Sequence, residues 1–328
     1  MIITRTPFRI SFFGGGTDYP VWYHKNGGAV LSTTINKHCY ISCRYLPPFF
    51  DYNYRVRYFK DELVQSINDI QHPSVRECLR FMNIQRGVEV VHNSDLPARS
   101  GLGSSSTFTV GMLHALCALK HYMPTKRELA LNAIEVEQDW IKESVGSQDQ
   151  TAAAFGSVNK IVFGGLQHID VQPVFMSPER LSLLQESIML FFTGFSRTAD
   201  EISKKQIDNS PNKHHELSRM KSILDDAVKI IQNDQQPITD FGELLNEQWR
   251  LKKNMSELIT NDKIDSIYER GRNAGAIGGK LLGAGAGGFF MFFVKPEMRH
   301  ALISEFSDLL HVPFRFDHGG SQVIYYTH

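Results

Sequence analysis

The sequence predicts an α+β protein of two domains, and three observations support this fold class. The chain has 328 residues, more than a single domain usually holds. Its first hundred residues alternate short apolar runs with Gly, Pro and Asn, which is typical of strands and turns. A polar, charged stretch from 200 to 273 predicts several helices, and strand-like runs return after it. We therefore expect a boundary near residue 180, giving domains 1–180 and 181–328.

Local patterns justify the individual elements. Short apolar or aromatic runs predict strands at 8–13, 29–35, 39–45, 55–59, 88–91, 157–163, 188–193, 289–294 and 322–326. Helices dominate from 104 to 154, and the first of them should be buried because its apolar residues recur at helical spacing. Two capping boxes, Thr125 with Glu128 and Ser147 with Gln150, predict the starts of two further helices.

Composition excludes several classes of function. Basic and acidic residues number 35 each, so no overall field attracts nucleic acid or an anionic membrane. No apolar run approaches the roughly 18 residues that span a bilayer. The four cysteines lack CxxC spacing and no signal peptide opens the chain, so we expect reduced thiols in a cytoplasmic protein. Cys39 and Cys43 should be buried on one face of a strand. The expected partners are small molecules, and the expected state is a monomer or homodimer.

The most informative string is Leu96-Pro97-Ala98-Arg99-Ser100-Gly101-Leu102-Gly103-Ser104-Ser105-Ser106-Thr107. It lies between a predicted strand and a predicted helix, and its glycines and hydroxyls suit a loop that presents N–H groups to an anion. A P-loop is excluded because Gly279-Lys280 is followed by Leu281. A dinucleotide fingerprint is disfavoured because a third glycine is missing, and a plain Gly/Ser-rich loop remains an alternative.

Several charged residues could serve phosphoryl transfer around this loop. Glu137 and Asp149 lie twelve residues apart, at the end of one predicted helix and the start of the next. Mg²⁺ prefers hard oxygen ligands, which suits Glu137 with Ser105, although a lone helical Glu is more often solvated. Asp149 would orient an attacking hydroxyl and take its proton late. Arg9 is a natural cationic neighbour, or else a structural ion-pair partner.

Two further glycine-rich strings are present. Phe12-Phe13-Gly14-Gly15-Gly16-Thr17-Asp18-Tyr19-Pro20 would leave room for a ligand beside the backbone, where Asp18 could accept sugar hydroxyls. The run Gly283–Gly288 leads into a strand, which predicts a tight loop against a neighbouring site.

Three strings in order, 6–18, 96–106 and 280–288, resemble the three motifs of the GHMP kinases, the family of galactokinase, homoserine kinase, mevalonate kinase and phosphomevalonate kinase. Gly146-Ser147-Gln148-Asp149-Gln150 resembles the segment around the family's catalytic aspartate. The resemblance implies an amino-terminal ribosomal protein S5 domain 2-like domain with a left-handed βαβ crossover, and a ferredoxin-like carboxyl-terminal domain. It also implies ATP as phosphate donor.

The resemblance assigns roles by position. Asp149 would be catalytic with Arg9 beside it, and Ser105 and Glu137 would hold Mg²⁺. The implied ATP-binding residues are Pro97, Ser100, Gly101, Leu102, Gly103, Ser104, Ser105 and Ser106. The implied sugar-binding residues are Gly15, Gly16, Thr17, Asp18 and Gly285.

Within the family the chain looks most like the bacterial kinases of D-glycero-D-manno-heptose 7-phosphate, which phosphorylate the anomeric hydroxyl. Galactokinases carry Glu-His where Gly15-Gly16 stand here, so a more open sugar pocket is expected. A phosphorylated substrate needs cations away from ATP. Arg197 is the first candidate and Lys37 the second, ahead of Arg44, Arg55 and Arg57. A kinase for an unphosphorylated sugar such as fucose, or a non-catalytic sugar and nucleotide sensor, are the alternatives.

Overall fold

The structure is a computed structural model, and it describes residues 1–164, 168–194 and 199–327. The strands, in chain order, are β1 (Ile2–Phe13), β2 (Gly28–Tyr45), β3 (Tyr54–Arg57), β4 (Asp61–Val64), β5 (Val88–Ser94), β6 (Val158–Gly164), β7 (His168–Pro173), β8 (Ile188–Phe192), β9 (Ala276–Leu281), β10 (Phe289–Val294), β11 (Leu310–His311), β12 (Phe316–Asp317) and β13 (Gln322–Tyr326).

The helices alternate with these strands in the first half and dominate the second. They are α1 (Pro20–Asn26), α2 (Pro73–Phe81), α3 (Ser104–Leu119), α4 (Lys126–Glu135), α5 (Gln148–Phe155), α6 (Pro178–Glu186), α7 (Ala199–Asn209), α8 (His214–Gln232), α9 (Thr239–Lys253), α10 (Asp262–Asn273) and α11 (Arg299–Glu305). A short π-helical turn, Val136–Ile141, continues α4. The predicted helices between 200 and 273 are thus present, as is the strand at 289–294.

Two sheets organise these elements, which confirms the α+β class. The larger runs β13-β1-β2-β5-β3-β4, with β12 and β6 also paired to β2 and β7 paired to β6. Within it β3 and β5 are parallel, with α2 in their connection. The smaller sheet is antiparallel in the order β11-β8-β10-β9.

The end of the chain returns to its beginning. Strands β12 and β13 pair with β2 and β1, so the larger sheet contains strands from both predicted domains. The boundary at residue 180 remains a prediction, but a cut there would separate β13 from its partner.

Helix α3 lies at the centre of the amino-terminal half. Its residues from Ser106 to Leu119 are buried except His114, and it packs on β1, β2, α4 and α5. Such a helix is stable only when surrounded by protein. The apolar residues that suggest a buried helix in the sequence are all buried: Phe108, Val110, Met112, Leu113, Leu116 and Leu119. Because α3 is held on several sides, its first turn is a fixed platform.

One predicted capping box is confirmed and the other is wrong. The Thr125 hydroxyl accepts the Glu128 N–H at the start of α4. Ser147 stands at the start of α5 but makes no capping bond. Its hydroxyl instead lies 3.1 Å from the Tyr23 hydroxyl and 3.2 Å from Gln138 Nε2. The Ser147 hydroxyl therefore takes part in tertiary contacts instead of the helix cap that the local pattern predicts.

The structure also bears on two predictions from composition, one about the cysteines and one about membrane-spanning helices. All four cysteines are buried and free, with Cys39 and Cys43 both on β2. Within the described ranges, no helix combines the length and apolar character needed to cross a membrane.

Candidate active site

A cleft of about 850 Å³ opens where the loop before α3, the end of β1, the start of α5 and the loop after β9 meet. Four chain segments far apart in sequence thereby contribute to one cavity. The predicted site residues that line it are Arg9, Gly15, Gly16, Asp18, Gly101, Gly103, Ser104, Ser105, Ser106, Asp149 and Gly285.

The loop before α3 is built to receive an anion. Gly101 and Gly103 adopt the left-handed conformation, with φ of 82° and 77°. Gly103 stands at the N-cap of α3 and makes no side-chain cap, so the first N–H groups of the helix lack a capping partner from it. Ser104, Ser105 and Ser106 of this first turn line the cleft, so the positive end of the helix dipole is available to an anion there.

The loop after β9 packs directly against this loop. A Cβ on Gly101 would lie 2.5 Å from the Leu282 carbonyl oxygen, and one on Gly283 would lie 2.5 Å from the Gly101 Cα. The Ser100 carbonyl accepts the Phe289 N–H at 3.1 Å. The tight loop that the sequence predicts at 283–288 is therefore present, and its glycines permit backbone-to-backbone contact.

Three of the eight implied ATP-binding residues lie away from the cleft. Pro97 is exposed outside it, Ser100 is buried beneath the loop, and Leu102 belongs to the hydrophobic core. Leu102 also fixes the loop through its carbonyl, which accepts the Arg9 N–H at 3.1 Å. These residues shape the loop rather than face the cavity.

Arg9 and Asp149 form a bidentate ion pair across the floor of the cleft. Arg9 Nε lies 2.7 Å from Asp149 Oδ1, and Arg9 Nη2 lies 2.6 Å from Asp149 Oδ2. The remaining nitrogen, Nη1, donates to the Gly101 carbonyl at 2.8 Å. A Cβ on Gly103 would lie 3.2 Å from Asp149 Oδ2. The carboxylate is thus fixed in orientation and adjacent to the anion-binding loop.

Asp18 is the second aspartate of the cleft, and it has no such ion pair in the described part of the chain. It is only 2% exposed, and its Oδ1 accepts the Gly16 N–H at 2.8 Å. Burial raises the pKa of its carboxyl to about 6, and the neighbouring charge of Asp149 adds to this effect. Thr17, by contrast, turns inward and donates to the carbonyls of Gly14 and Ala29.

Glu137 is buried behind the first turn of α3. The sequence pairs it with Ser105, but the structure places Ser106 against it, with the Ser106 hydroxyl 2.8 Å from Glu137 Oε2. Successive helical residues point about 100° apart, so only one of these serines can face Glu137. Ser105 is exposed and lies 3.5 Å from Glu143 Oε2.

Burial also perturbs the Glu137 carboxyl. Its Oε1 has no hydrogen-bond partner among the described residues. Burial raises its pKa to about 8, with the charge of Glu143 acting in the same direction. A cation at this position would provide a partner for Oε1 and would favour the ionised carboxylate, which lowers its pKa.

Two lysines at the cleft were not predicted from the sequence. Lys252, on α9, donates to the carbonyls of Leu281 and Gly283, and burial lowers its pKa to about 7. Lys280, on β9, donates to the carbonyls of Ser11 and Phe12 at 3.0 Å each, and burial holds its pKa well below the usual value. Lys280 opens the third motif string, 280–288, but no role was inferred for it, whereas Lys252 lies in a charged stretch that gave no signal.

The described residues that were predicted to bind a distal phosphate do not line the cleft. Lys37 is not among the residues that line the cleft. Arg44 and Arg55 pair with Glu89 on the larger sheet, which is a structural role. Arg197 lies outside the described residues.

With this geometry in place, comparison with known proteins decides the family. Residues 72–157 match the family described as GHMP kinases N terminal domain, and residues 227–308 match GHMP kinases C terminal. The chain is 31% identical over 319 residues to the D-glycero-alpha-D-manno-heptose 7-phosphate kinase of Campylobacter jejuni, covering 92% of each. The chain belongs to the GHMP kinase family. It is an ATP-dependent sugar kinase.

Other relatives support the same fold. The crystal structure of a D-glycero-D-manno-heptose 1-phosphate kinase from Bacteroides thetaiotaomicron superposes with a TM-score of 0.75 and 23% identity, covering 100% of both chains. The chain is 22% identical to the bifunctional fucokinase/GDP-fucose pyrophosphorylase of Arabidopsis thaliana, covering 88% of this chain and 29% of that one. The implied GHMP kinase fold is therefore confirmed.

Proposed function

We propose that this kinase transfers the γ-phosphoryl group of ATP to the anomeric hydroxyl of D-glycero-D-manno-heptose 7-phosphate, giving the 1,7-bisphosphate. The reaction would serve the synthesis of nucleotide-activated heptose in the cytoplasm. The observation that carries the reaction type is the Arg9–Asp149 ion pair fixed beside Gly103 of the anion-binding loop. The similarity to the heptose 7-phosphate kinase supports the choice of sugar.

In this proposal Asp149 orients the anomeric hydroxyl and accepts its proton. The hydroxyl oxygen forms a bond to the γ-phosphorus while the bond from that phosphorus to the bridging oxygen of ADP breaks. In a loose transition state the proton leaves late, so a carboxylate held by a guanidinium is adequate as acceptor. Arg9 keeps the carboxylate aimed at the hydroxyl, and Gly101, Gly103 and the N-terminus of α3 hold the phosphates.

An aromatic wall at one end of the cleft suits the adenine base. His72 stacks on Phe108 with ring centroids 4.7 Å apart, and Tyr58 packs edge-on against His72. Burial lowers the pKa of His72, and it lowers that of His92 to about 4, so both rings are neutral near pH 7. A neutral aromatic surface is what a purine stacks on.

Glu137 with the hydroxyl of Ser106 fits a divalent cation, whereas the Ser105 hydroxyl lies toward Glu143. The donor set is hard oxygen, and the unpartnered Glu137 Oε1 is a buried acceptor that Mg²⁺ would satisfy. When bound, Mg²⁺ neutralises charge on the ATP phosphates. Ser106 and Glu137 would fix its place at the first turn of α3.

A kinase assay over free sugars and sugar phosphates, with the product read by phosphorus NMR, tests the proposal. Transfer to heptose 7-phosphate with a new anomeric phosphate is the expected result. No anomeric phosphate from this substrate would refute it.

An unphosphorylated sugar such as fucose is the second candidate, because the fucokinase relative matches most of this chain and Lys37 lies away from the cleft. Arg197→Ala discriminates the two candidates. It should weaken binding only of phosphorylated substrates if Arg197 holds the distal phosphate. A non-catalytic sensor is disfavoured, because a sensor needs neither Glu137 nor Asp149.

A further inference from the structure

Two polar atoms on the floor of the cleft have no partner among the residues that the structure describes. They are Ser11 Oγ and Gln148 Oε1, and both are buried from solvent. Ser11 is 5% exposed and lies on β1, whereas Gln148 begins α5 immediately before Asp149. Both residues line the cleft. A buried polar group that is left unpaired destabilises the fold, so such groups usually have a function or a missing partner.

The two side chains converge above one glycine. A Cβ built on Gly15 would lie 3.7 Å from Ser11 Oγ and 3.7 Å from Gln148 Nε2. Gly15 is flanked by Gly14 and Gly16, which both adopt positive φ, but Gly15 itself does not. Its backbone therefore does not require glycine. The missing side chain instead leaves open the space that faces Ser11 and Gln148.

The backbone beneath this space is held rigidly. The buried Lys280 ammonium donates to the Ser11 and Phe12 carbonyls at 3.0 Å each. On the other side, the Ser147 N–H donates to the Asp18 carbonyl at 3.0 Å and ties the start of α5 to the segment after Gly15. Ser11 and Gln148 are thus presented from two anchored elements, as a specificity site requires.

We propose that Ser11 and Gln148 bind a sugar hydroxyl in the space above Gly15 and thereby help to determine which sugar this kinase accepts. The Ser11 hydroxyl donates and accepts, and the Gln148 amide offers a donor in Nε2, which lies toward this space, and an acceptor in the unpartnered Oε1, so together they satisfy one secondary hydroxyl. The proposal rests on the proposed sugar kinase activity but not on heptose as the substrate. Loss of the sugar hydroxyl leaves buried polar groups unpaired, and sites of this kind discriminate strongly against the deoxy analogue.

The test pairs enzyme variants with deoxy sugars. The substrate is whichever sugar of the panel the wild-type enzyme turns over best, together with its analogues that each lack one hydroxyl. Ser11→Ala and Gln148→Met should each lower kcat/KM about 3- to 10-fold on the parent sugar, the loss expected for one neutral hydrogen bond. On the analogue that lacks the hydroxyl bound by Ser11 and Gln148, the wild-type kcat/KM should already be low. The two variants should not lower it further. The KM for ATP should stay unchanged.

Gly15→Ala tests the space itself. The new methyl group makes only ordinary contacts with the protein, so the unfolding midpoint should stay at the wild-type value. The KM for the sugar should rise about tenfold or more because the methyl occupies the hydroxyl position. Gly164→Ala, at a position with nothing within 4 Å, is the matched control and should leave both KM values unchanged.

Equal losses on the parent sugar and on every deoxy analogue would overturn the proposal, since Ser11 and Gln148 would then act only on the protein. Unchanged kinetics in Gly15→Ala would also overturn it. Failure of heptose 7-phosphate as a substrate would refute the proposed function alone, because the test uses the best sugar found.

Discussion

Replacing Asp18 by asparagine should make the protein more stable and less active. The buried carboxyl has a pKa of about 6, against an ordinary value of 3.8, chiefly because burial disfavours its charge. The gap between the two values corresponds to about 3 kcal/mol at 1.36 kcal/mol per pH unit. Above pH 6 Asp18 is ionised in the native state, where its ionisation costs about 3 kcal/mol more than in the unfolded chain.

The sign of the pH dependence follows from proton binding. Between pH 3.8 and about 6 the native state holds a proton on Asp18 that the unfolded chain has lost. Raising the pH through this window therefore lowers the wild-type free energy of unfolding. Asparagine does not ionise, so the advantage of Asp18→Asn should be about 3 kcal/mol at pH 8 and about half that at pH 5.

Urea denaturation of the ligand-free protein at both pH values measures this difference, and steady-state kinetics measures the loss of function. The kcat/KM for the sugar should fall about 10- to 100-fold, the range for a hydrogen bond to a charged group. The wild-type kcat/KM should also decline below about pH 6 as Asp18 becomes protonated, whereas the kcat/KM of the variant should not decline in this range.

Asp149→Asn is the matched control, with the opposite expectation. Asp149 is ion-paired, so its loss leaves the 4%-exposed Arg9 without its carboxylate and should destabilise the protein by about 2 kcal/mol or more. If Asp18→Asn has the same stability relative to wild type at pH 5 and at pH 8, the reasoning from the buried charge is refuted.

Four further outcomes are expected. Asp149→Ala should lower turnover at least about a hundredfold while ATP binding, followed by calorimetry, persists; unchanged turnover would remove Asp149 from the mechanism. Gly101→Ala places a methyl group against the Leu282 carbonyl at positive φ, so it should destabilise the fold by about 2 kcal/mol and weaken ATP binding, as urea and nucleotide titrations would show. Glu137→Gln should raise the Mg²⁺ concentration for half-maximal activity about tenfold, and an unchanged Mg²⁺ titration would exclude Glu137 as a ligand. Lys252→Met should raise the KM for ATP about tenfold because the loop after β9 loses its anchor, an effect absent if that loop is held by other contacts.

Local patterns predicted most elements of the fold, but not how the chain closes on itself. The run 289–294 and the helix behind the serines are strong signals within a few residues. The pairing of β13 with β1 joins residues more than three hundred positions apart, and no local pattern encodes that choice. Ser147 shows the same limit, because its predicted capping hydroxyl serves Tyr23 and Gln138 instead.

The candidate site was likewise only partly predictable from the sequence. The anion-binding loop was predictable because glycine, serine and a following helix lie in one string. Arg9 and Asp149 lie 140 positions apart, so no local spacing predicts their contact; charge complementarity suggested the pair and family resemblance supported it. Lys252 and Lys280 were not predicted because lysine is normally exposed, and only the tertiary structure shows both ammonium groups buried.

The distribution of charge explains how a chain with no net charge can bind ATP. Basic and acidic residues are equal in number, so long-range attraction is absent. Three basic residues of the cleft, Arg9, Lys252 and Lys280, are at most 8% exposed, and each donates to backbone carbonyls, whereas Arg99, which also lines the cleft, is exposed. Burial lowers the pKa of both lysines, to about 7 for Lys252, so they supply little positive charge at neutral pH, and a charge that is buried is little affected by salt. Binding of ATP by this kinase should therefore depend weakly on ionic strength, and steep salt dependence would show that exposed cations dominate.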